Sequence, residues 1–300
     1  MSLSLPKRLL LLVLLVLLLP LAAYWLADTW LESSGGRQLL EQNLSERIGM
    51  SVRLGGEFDL MLLPDIGVSG TALVLGGPGP ESEFARSDKF EMSIALQPLL
   101  DRRVLIDWIR LSGGHVYPER YAGEGGSSEV AGVRLPEIRE LTVRDFQFEL
   151  PGEGASPLRV KELMVSGFAE NRETLFKLEI EDLAVVEGRL RWDTSRSVIH
   201  FTNVNLLLGE QALSGEGCLF LQNPRSLHFD LQAGALDLDM LRENLPVSGD
   251  AAGGGLPLEV NARFTIDEVT SSGVIARGVV FSLGGEPACN GITGRNGEAR

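Results

Sequence analysis

Hydrophobic and polar residues alternate along most of the chain after Gly49, a pattern typical of β-strands with one apolar and one polar face. The clearest run covers residues 258–267, where every second residue is apolar and the residues between them are polar or charged. Its apolar positions are Leu258, Val260, Ala262, Phe264 and Ile266. An earlier run has the same spacing at Leu227, Phe229, Leu231 and Ala233. Each run predicts a strand with one face that needs an apolar cover.

The earlier run changes phase beside Gly234, and the apolar positions continue at Leu236, Leu238 and Met240. A one-residue shift next to a glycine indicates a β-bulge, which bends a strand without turning its apolar side outward. Glycine- and proline-rich turns separate the runs, and helical patterns between them are nearly absent. We therefore predict mainly β architecture: an extended antiparallel sheet, with linkers at 121–130 and 247–255 that insert loops or divide the sheet into sections.

An uncharged apolar stretch, Leu9–Leu26, precedes the β region. As a helix it would be about 27 Å long, close to the roughly 30 Å hydrocarbon core of a bilayer. The basic residues before it keep the amino end in the cytoplasm, and aromatic residues fall where the helix would leave the membrane. The predicted membrane-interface residues are Lys7, Arg8, Tyr24, Trp25 and Trp30.

A cleaved signal peptide is the alternative for this stretch. The small residues Ala22 and Ala23 suit a cleavage site, but the bulky Tyr24 and Trp25 follow directly, and the apolar run exceeds the usual 7–15 residues of a signal core. Both interpretations export the rest of the chain. The sequence favours a retained single-pass anchor.

A short amphipathic helix is predicted over residues 31–48, because Leu40, Leu44 and Ile48 recur every four residues and Gly49 suits a helix end. Three segments result. Residues 1–30 form a cytoplasmic tip and a transmembrane anchor, residues 31–283 form the exported β domain, and residues 284–300 form an irregular tail in which the alternation stops.

Composition narrows the classes of partner. The formal charge of −14 and the pI near 4.8 repel phosphate backbones, so no nucleic-acid partner is expected. The 44% hydrophobic content excludes a disordered chain. Two cysteines exclude a disulfide scaffold and a cysteine-rich metal site. In an oxidising compartment Cys218 and Cys289 either pair or remain two thiols, and the sequence leaves both open.

Candidate chemistry is sparse. His115, His200 and His228 fall in no metal-binding or triad spacing, and Asp237 and Asp239 fit the solvated face of a strand. We therefore predict no catalytic residue, no cofactor and no metal, and a protein that is not an enzyme. The apolar faces admit two interpretations: a closed β core, or an open trough that holds acyl chains. The residues alone favour the closed core, since large exposed apolar patches are rare.

The order of several motifs resembles that of the AsmA family of envelope proteins. After the membrane helix, the likeness covers 44–60, 63–68, 85–100 and 104–111, then 188–192, 235–241 and 256–258, within residues 5–283. The family's usual members are longer, so the resemblance implies a shortened or truncated member. An exposed edge strand is then expected near Val279–Leu283.

The resemblance also implies a function and reverses the preference for a closed core. AsmA-like proteins are similar to bridge-like lipid transfer proteins, in which a curled β trough rises from an anchor in the bacterial inner membrane into the periplasm. The implied partner is phospholipid and the implied role is outer-membrane biogenesis. A non-transporting scaffold that contacts an envelope protein is the alternative. The implied lipid-contact residues are Phe229, Leu231, Leu258, Val260, Phe264 and Ile266.

Overall fold

The structure is a computed structural model that describes the β region of the chain. The described residues are 35, 37, 38, 41, 42, 44, 45, 51–61, 66–76, 82–95, 98, 105–118, 120, 137–149, 157–221, 226–240, 259–284 and 289. The predicted anchor Leu9–Leu26 and the five predicted interface residues lie outside this part of the chain.

In the described part of the chain fourteen strands form one sheet, which confirms the prediction of mainly β architecture. The strands are β1 (Val52–Leu54), β2 (Phe58–Met61), β3 (Ile66–Gly76), β4 (Glu83–Ile94), β5 (Leu105–Val116), β6 (Glu137–Phe148), β7 (Leu158–Phe168), β8 (Glu173–Ile180), β9 (Ala184–Asp193), β10 (Val198–Leu208), β11 (Gln211–Phe220), β12 (Ser226–Asp237), β13 (Glu259–Ser271) and β14 (Val274–Leu283). Apart from β2, which pairs with β3 beside β1, the order in space follows the order in the chain.

The sheet is antiparallel with two exceptions, which correct the prediction of a purely antiparallel sheet. β5 pairs with β6 in parallel, and so do β12 and β13. These are the two places where the predicted linkers 121–130 and 247–255 interrupt the strands. A parallel pair requires a connection long enough to return to the starting end, whereas an antiparallel pair needs only a short turn. The sheet nevertheless continues without a break across both junctions, because β5 pairs with β6 and β12 with β13.

Side chains from a helical segment cover the hydrogen-bonding edge of β1. The described residues between Gly35 and Ser45 are helical, as the four-residue spacing predicted. The backbone N–H of Leu54 donates to Glu41 Oε1 at 2.7 Å, and that of Val52 donates to Ser45 Oγ at 2.8 Å. Arg37 donates to the carbonyl of Gly56 at 2.9 Å. Donors that would otherwise face a missing strand therefore have partners.

A line of kinked residues crosses β3 to β7. The registers align Ala72, Asp88, Gly113, Asp145 and Lys161, and three of them have positive φ angles of 57°, 62° and 57° (Ala72, Gly113 and Asp145). We call this line the first crease. Each strand carries its extra residue at the same level, so neighbouring strands stay in register while the side chains change phase together. At the level of the first crease, a register shift appears only between β7 and β8, where the line ends.

The phase change predicted beside Gly234 is a second crease. Gly234 aligns with Asp267 and Gly278, and Gly278 has a φ of 64°. The offset between β12 and β13 is the same on both sides of Gly234. The predicted phase change is thus confirmed. The predicted β-bulge is absent between β12 and β13, because both strands change phase at the same level.

A disulfide joins the two cysteines that the sequence left unassigned. Cys218 on β11 is bonded to Cys289, with a Cα–Cα distance of 6.0 Å. Cys218 is fully buried, and His200 and His228 beside it are 8% exposed. Residue 289 belongs to the segment 284–300 predicted as an irregular tail, and this bond holds it against the sheet three strands in from β14.

Candidate functional site

One face of the sheet carries a row of side chains that runs from β4 to β14 without a charge. Strand pairing aligns the members of this row, which we call row A, from Phe90 to Leu213, and the row continues on β12 to β14. Its members are Phe90, Leu111, Val143, Leu163, Leu178, Val186, Leu206, Leu213, Ala233, Ile266 and Val279. The step between Leu213 and Ala233 is a contact within one buried cluster.

A second row, row B, lies beside row A on the same face. Its members are Val68, Met92, Ile109, Leu141, Val165, Phe176, Gly188, Val204, Gly215, Leu231, Phe264 and Phe281. Each member is apolar or glycine. At roughly 4.8 Å between strands, the two rows extend on the order of 50 Å across the sheet.

Further apolar rows widen this band, differently in the two halves. In β1 to β9, the row beyond the first crease contains Leu54, Leu73, Ser87, Gly114, Phe146, Val160, Ile180 and Ala184. In β9 to β14, the band widens on the other side through Leu190, Phe201, Gly217, Phe229, Ala262 and Leu283, and then through Trp192, Ile199, Leu219, Leu227 and Val260. We call the whole band the apolar face.

Most side chains of the apolar face are half-buried. Fully buried positions include Ile266, which is 1% exposed, the two small clusters around Leu231 and Phe90, and further residues such as Phe146, Val160 and Val204. Within the described part of the chain, extensive contacts join only strands that are neighbours in the sheet. No described strand forms a second layer over the apolar face, as would be the case in a β-sandwich.

Glycines on this face are paired with phenylalanines from adjacent strands. A Cβ placed on Gly217 would lie 2.4 Å from Phe229, and one on Gly114 would lie 2.8 Å from Phe146. Gly70 with Phe90 and Gly188 with Phe176 repeat the arrangement. The ring covers the backbone that the glycine leaves bare, which compensates for the weak strand propensity of glycine.

Aromatic rings also approach one another across alternate strands. Phe201 on β10 lies 5.8 Å from Phe176 on β8 and 5.9 Å from Phe229 on β12, measured between ring centroids. Phe168 on β7 and Trp192 on β9 are 5.9 Å apart. Strands two positions apart are separated by roughly 9.6 Å at the backbone, so these rings lean toward each other over the strand between them.

The opposite face, which we call the charged face, is built from cross-strand ion pairs. Arg144 lies 2.9 Å from Glu162, and Arg189 lies 2.9 Å from Glu173. Lys161 donates to Glu179 at 2.5 Å, and this hydrogen bond raises the pKa of the lysine and lowers the pKa of the carboxyl. These groups are largely exposed to water, so each pair contributes little to stability.

Two shallow depressions among the described residues both lie mainly on the charged face. The larger, about 470 Å³, is lined by residues of β9 to β13, of which about half are polar, including Glu187, Asn205, Gln232 and Thr265. Its lining offers hydrogen-bonding groups, which do not suit an acyl chain.

Five of the six predicted lipid-contact residues lie together on the apolar face. Leu231 pairs with Phe264, and Phe229 and Ile266 occupy adjoining positions on the same two strands. Val260 lies near the margin of the face and is 39% exposed. Leu258 lies outside the described residues. Phe90 and Met92 of β4 and Val160, Leu163 and Val165 of β7 lie on this face as well.

The polar candidates separate in space. His115 lies 3.8 Å from Glu149. His200 and His228 lie on the charged face beside the disulfide, and burial lowers the pKa of His200. Asp237 and Asp239 do not share a solvated strand face as predicted: Asp237 accepts from the N–H groups of Asp239 and Met240, and Asp239 accepts from Ser271 and Ser272. Among the described residues no cluster suited to a metal ion occurs.

The extent of the apolar face was not visible in single runs. Rows A and B are assembled from residues far apart in sequence, and their order depends on the two parallel pairings. One signal could have revealed the face. Glycine repeatedly occupies a position on the apolar side of a strand, and phenylalanine occupies the paired position on the next strand, as at Gly217 and Phe229.

No family model matches the chain, and no curated protein matches it either. Within the described residues, no helix has the length and apolar character needed to cross a membrane.

Proposed function

We propose that this protein holds lipid acyl chains on the apolar face of its sheet and supports phospholipid transfer in the bacterial envelope. The observation that carries the proposal is the continuity of rows A and B across the sheet without a charged residue. In this proposal the stretch Leu9–Leu26 anchors the protein in the inner membrane, and the sheet lies in the periplasm.

The energetics support an apolar track. Moving a two-chain lipid through water exposes hydrocarbon at about 0.8 kcal/mol per CH₂, which amounts to on the order of 20 kcal/mol for two long chains. A continuous apolar surface lowers that barrier without any catalytic residue. The half-buried state of most row members supports this use, because side chains sealed in a core have no surface left for a ligand.

The aromatic contacts support a trough that is concave on the apolar side. Phe201 and Phe229 meet above Gly217 although a strand separates them. Rings two strands apart approach most easily when the sheet curves toward them. Glycines at Gly70, Gly114, Gly188 and Gly217 reduce the side-chain volume on this face, as an inward curve requires.

The disulfide supports export. Cys218 and Cys289 are bonded, and disulfides persist in oxidising compartments such as the periplasm. This agrees with the orientation implied by Lys7 and Arg8, which places everything after the anchor outside the cytoplasm.

The test compares two double variants of β13 in the full chain. Val260→Asp with Phe264→Asp places two charges on the apolar face, and Asn261→Asp with Thr265→Asp places two on the charged face of the same strand. A photocrosslinking amino acid at Phe229 should capture phospholipid in the wild type and in the second variant. Capture should fall at least about tenfold in the first variant, since a buried carboxylate opposes an acyl chain.

Mass spectrometry of the detergent-purified protein adds an independent readout. Phospholipid that co-purifies at a fixed ratio and is lost from the first variant supports transfer. Equal crosslinking in both variants overturns the proposal. A reproducible envelope-protein partner with no bound lipid would favour the alternative function of a scaffold.

A further inference from the structure

The two edge strands of the sheet, β1 and β14, differ in how their outer sides are covered. At the β1 edge, the N–H groups of Val52 and Leu54 already donate to Ser45 and Glu41 of the helical segment. A strand from another molecule would have to displace these side chains before it could pair there. The β1 edge is therefore occupied.

The β14 edge carries apolar side chains that face water. Among the described residues β14 pairs with β13 alone. Val280 is 62% exposed, Phe281 is 42% exposed and Leu283 is 57% exposed. The one charged residue of β14, Arg277, is held 3.2 Å from Glu268 of β13. Natural edge strands usually carry free lysines, prolines or a covering element, and the described part of β14 has none of these.

The one described residue after Gly284 lies away from this edge. The disulfide holds Cys289 over β11, three strands inward. Cys289 therefore does not cover β14.

We propose that β14 pairs with β14 of a second copy of this chain, forming a two-fold dimer with one continuous sheet. The occupied β1 edge prevents head-to-tail pairing of β1 with β14, which would produce an open filament. Pairing of two identical free edges closes on itself after two copies. The proposal does not depend on lipid binding.

The register follows from the pattern of apolar positions. A two-fold axis perpendicular to the sheet keeps both apolar faces on the same side. Centring the antiparallel pair on Phe281 places Val279 opposite Leu283 of the partner subunit, and it continues the rows that end at these residues. A shift of one residue would set the apolar side of one copy beside the charged side of the other.

Cysteine crosslinking tests the register. In the proposed dimer the two copies of residue 281 are directly opposite, with Cα atoms roughly 4.5–5.5 Å apart, a separation that a disulfide spans. Phe281→Cys in the full chain should give a covalent dimer on mild oxidation, and the native cysteines are already bonded to each other. The control Val274→Cys is 68% exposed in the present structure but lies outside the paired segment, so it should not crosslink. Equal crosslinking of both variants would overturn the register.

A second variant separates the dimer from lipid binding. Val280 pairs with Thr265 and so lies on the charged face, away from rows A and B. Val280→Lys should weaken dimerisation on the order of tenfold or more, because it removes apolar contact and sets like charges near each other across the axis. Lipid capture at Phe229 should be unchanged.

Native mass spectrometry of the detergent-solubilised chain provides the readout. A dimer in the wild type and a monomer in Val280→Lys support the proposal. A wild-type monomer at concentrations well above those in the membrane overturns it, as does a complex with a different polypeptide at this edge. Circular dichroism confirms that the variant retains its β content.

Discussion

The same strands form both faces of this sheet, but the charged face depends on contacts between adjacent strands and the apolar face on the register of the whole sheet. On the charged face, the partners of an ion pair come from adjacent strands, as with Arg144 and Glu162. On the apolar face, rows A and B are continuous only if every strand from β4 to β14 keeps its register. The charged face therefore tolerates local change, whereas one slipped strand would interrupt the apolar face for all its neighbours.

The creases show how the apolar face stays continuous. An extra residue in a single strand shifts the register of that strand against its neighbours, as between Phe201 and Val204 of β10. The first crease places its extra residues at the same level in successive strands, and the second crease does the same through Gly234, Asp267 and Gly278. The face changes phase as a unit. Substitutions confined to one face should therefore change the stability of the protein by different amounts on the two faces.

The largest difference is expected from a carboxylate placed on either side of β13. Ile266 is 1% exposed, and Ile266→Asp should lower the free energy of unfolding by more than about 4 kcal/mol, since it buries an unpaired charge and removes an apolar contact. The neighbouring Thr265→Asp should cost less than about 1 kcal/mol. Urea denaturation followed by circular dichroism measures both. Similar losses would mean that the faces do not differ as described.

A smaller difference is expected from two glycines. The added methyl group of Gly217→Ala would lie 2.4 Å from Phe229, so this variant should lose about 1–3 kcal/mol of stability. Gly234 has open space at the same position, and Gly234→Ala should stay within about 0.5 kcal/mol of the wild type. Thermal unfolding of the two variants side by side provides the measurement. A neutral Gly217→Ala would contradict the close ring packing.

The smallest effect is expected from acidification near the disulfide. Burial lowers the pKa of His200 below its usual value of 6.5, so the folded state disfavours the protonated imidazole. The unfolded chain then binds more protons, and the stability that His200 contributes above pH 6.5 is lost as the pH falls through the lowered pKa. Melting temperatures between pH 8 and pH 5 should fall less steeply in His200→Gln than in the wild type. Parallel curves would show that His200 does not contribute.

The local features of the fold could be predicted from the sequence. Alternation fixes which side chains of β12 and β13 share a face, and the phase change beside Gly234 signals a kink. The partners of each strand could not be predicted, because pairing across residues 117–136 or 238–258 depends on distant register and not on local propensity. The use of Glu41 and Ser45 to cover β1 was equally hidden, since both residues are ordinary in a helix.

The positions of the predicted lipid-contact residues in the sheet could be predicted only in part, for the same reason. Period two alone shows that Phe229 and Leu231 share a face of β12 and that Phe264 and Ile266 share a face of β13, but the pairing of the two strands is needed to bring the four residues together. Leu111 and Val143 are central to row A, yet their strands contain serine, arginine and aspartate at nearby positions, which weakens the alternation. Only their cross-strand neighbours show that these residues belong to the apolar face.

The two parallel junctions have a kinetic consequence. β3 to β5, β6 to β12 and β13 to β14 are runs of antiparallel neighbours joined by comparatively short connections. Joining one run to the next requires closing a far longer loop, which carries a larger entropic cost before any contact forms. Hydrogen exchange during refolding should thus reveal protection appearing in three blocks, with the seams β5–β6 and β12–β13 protected last.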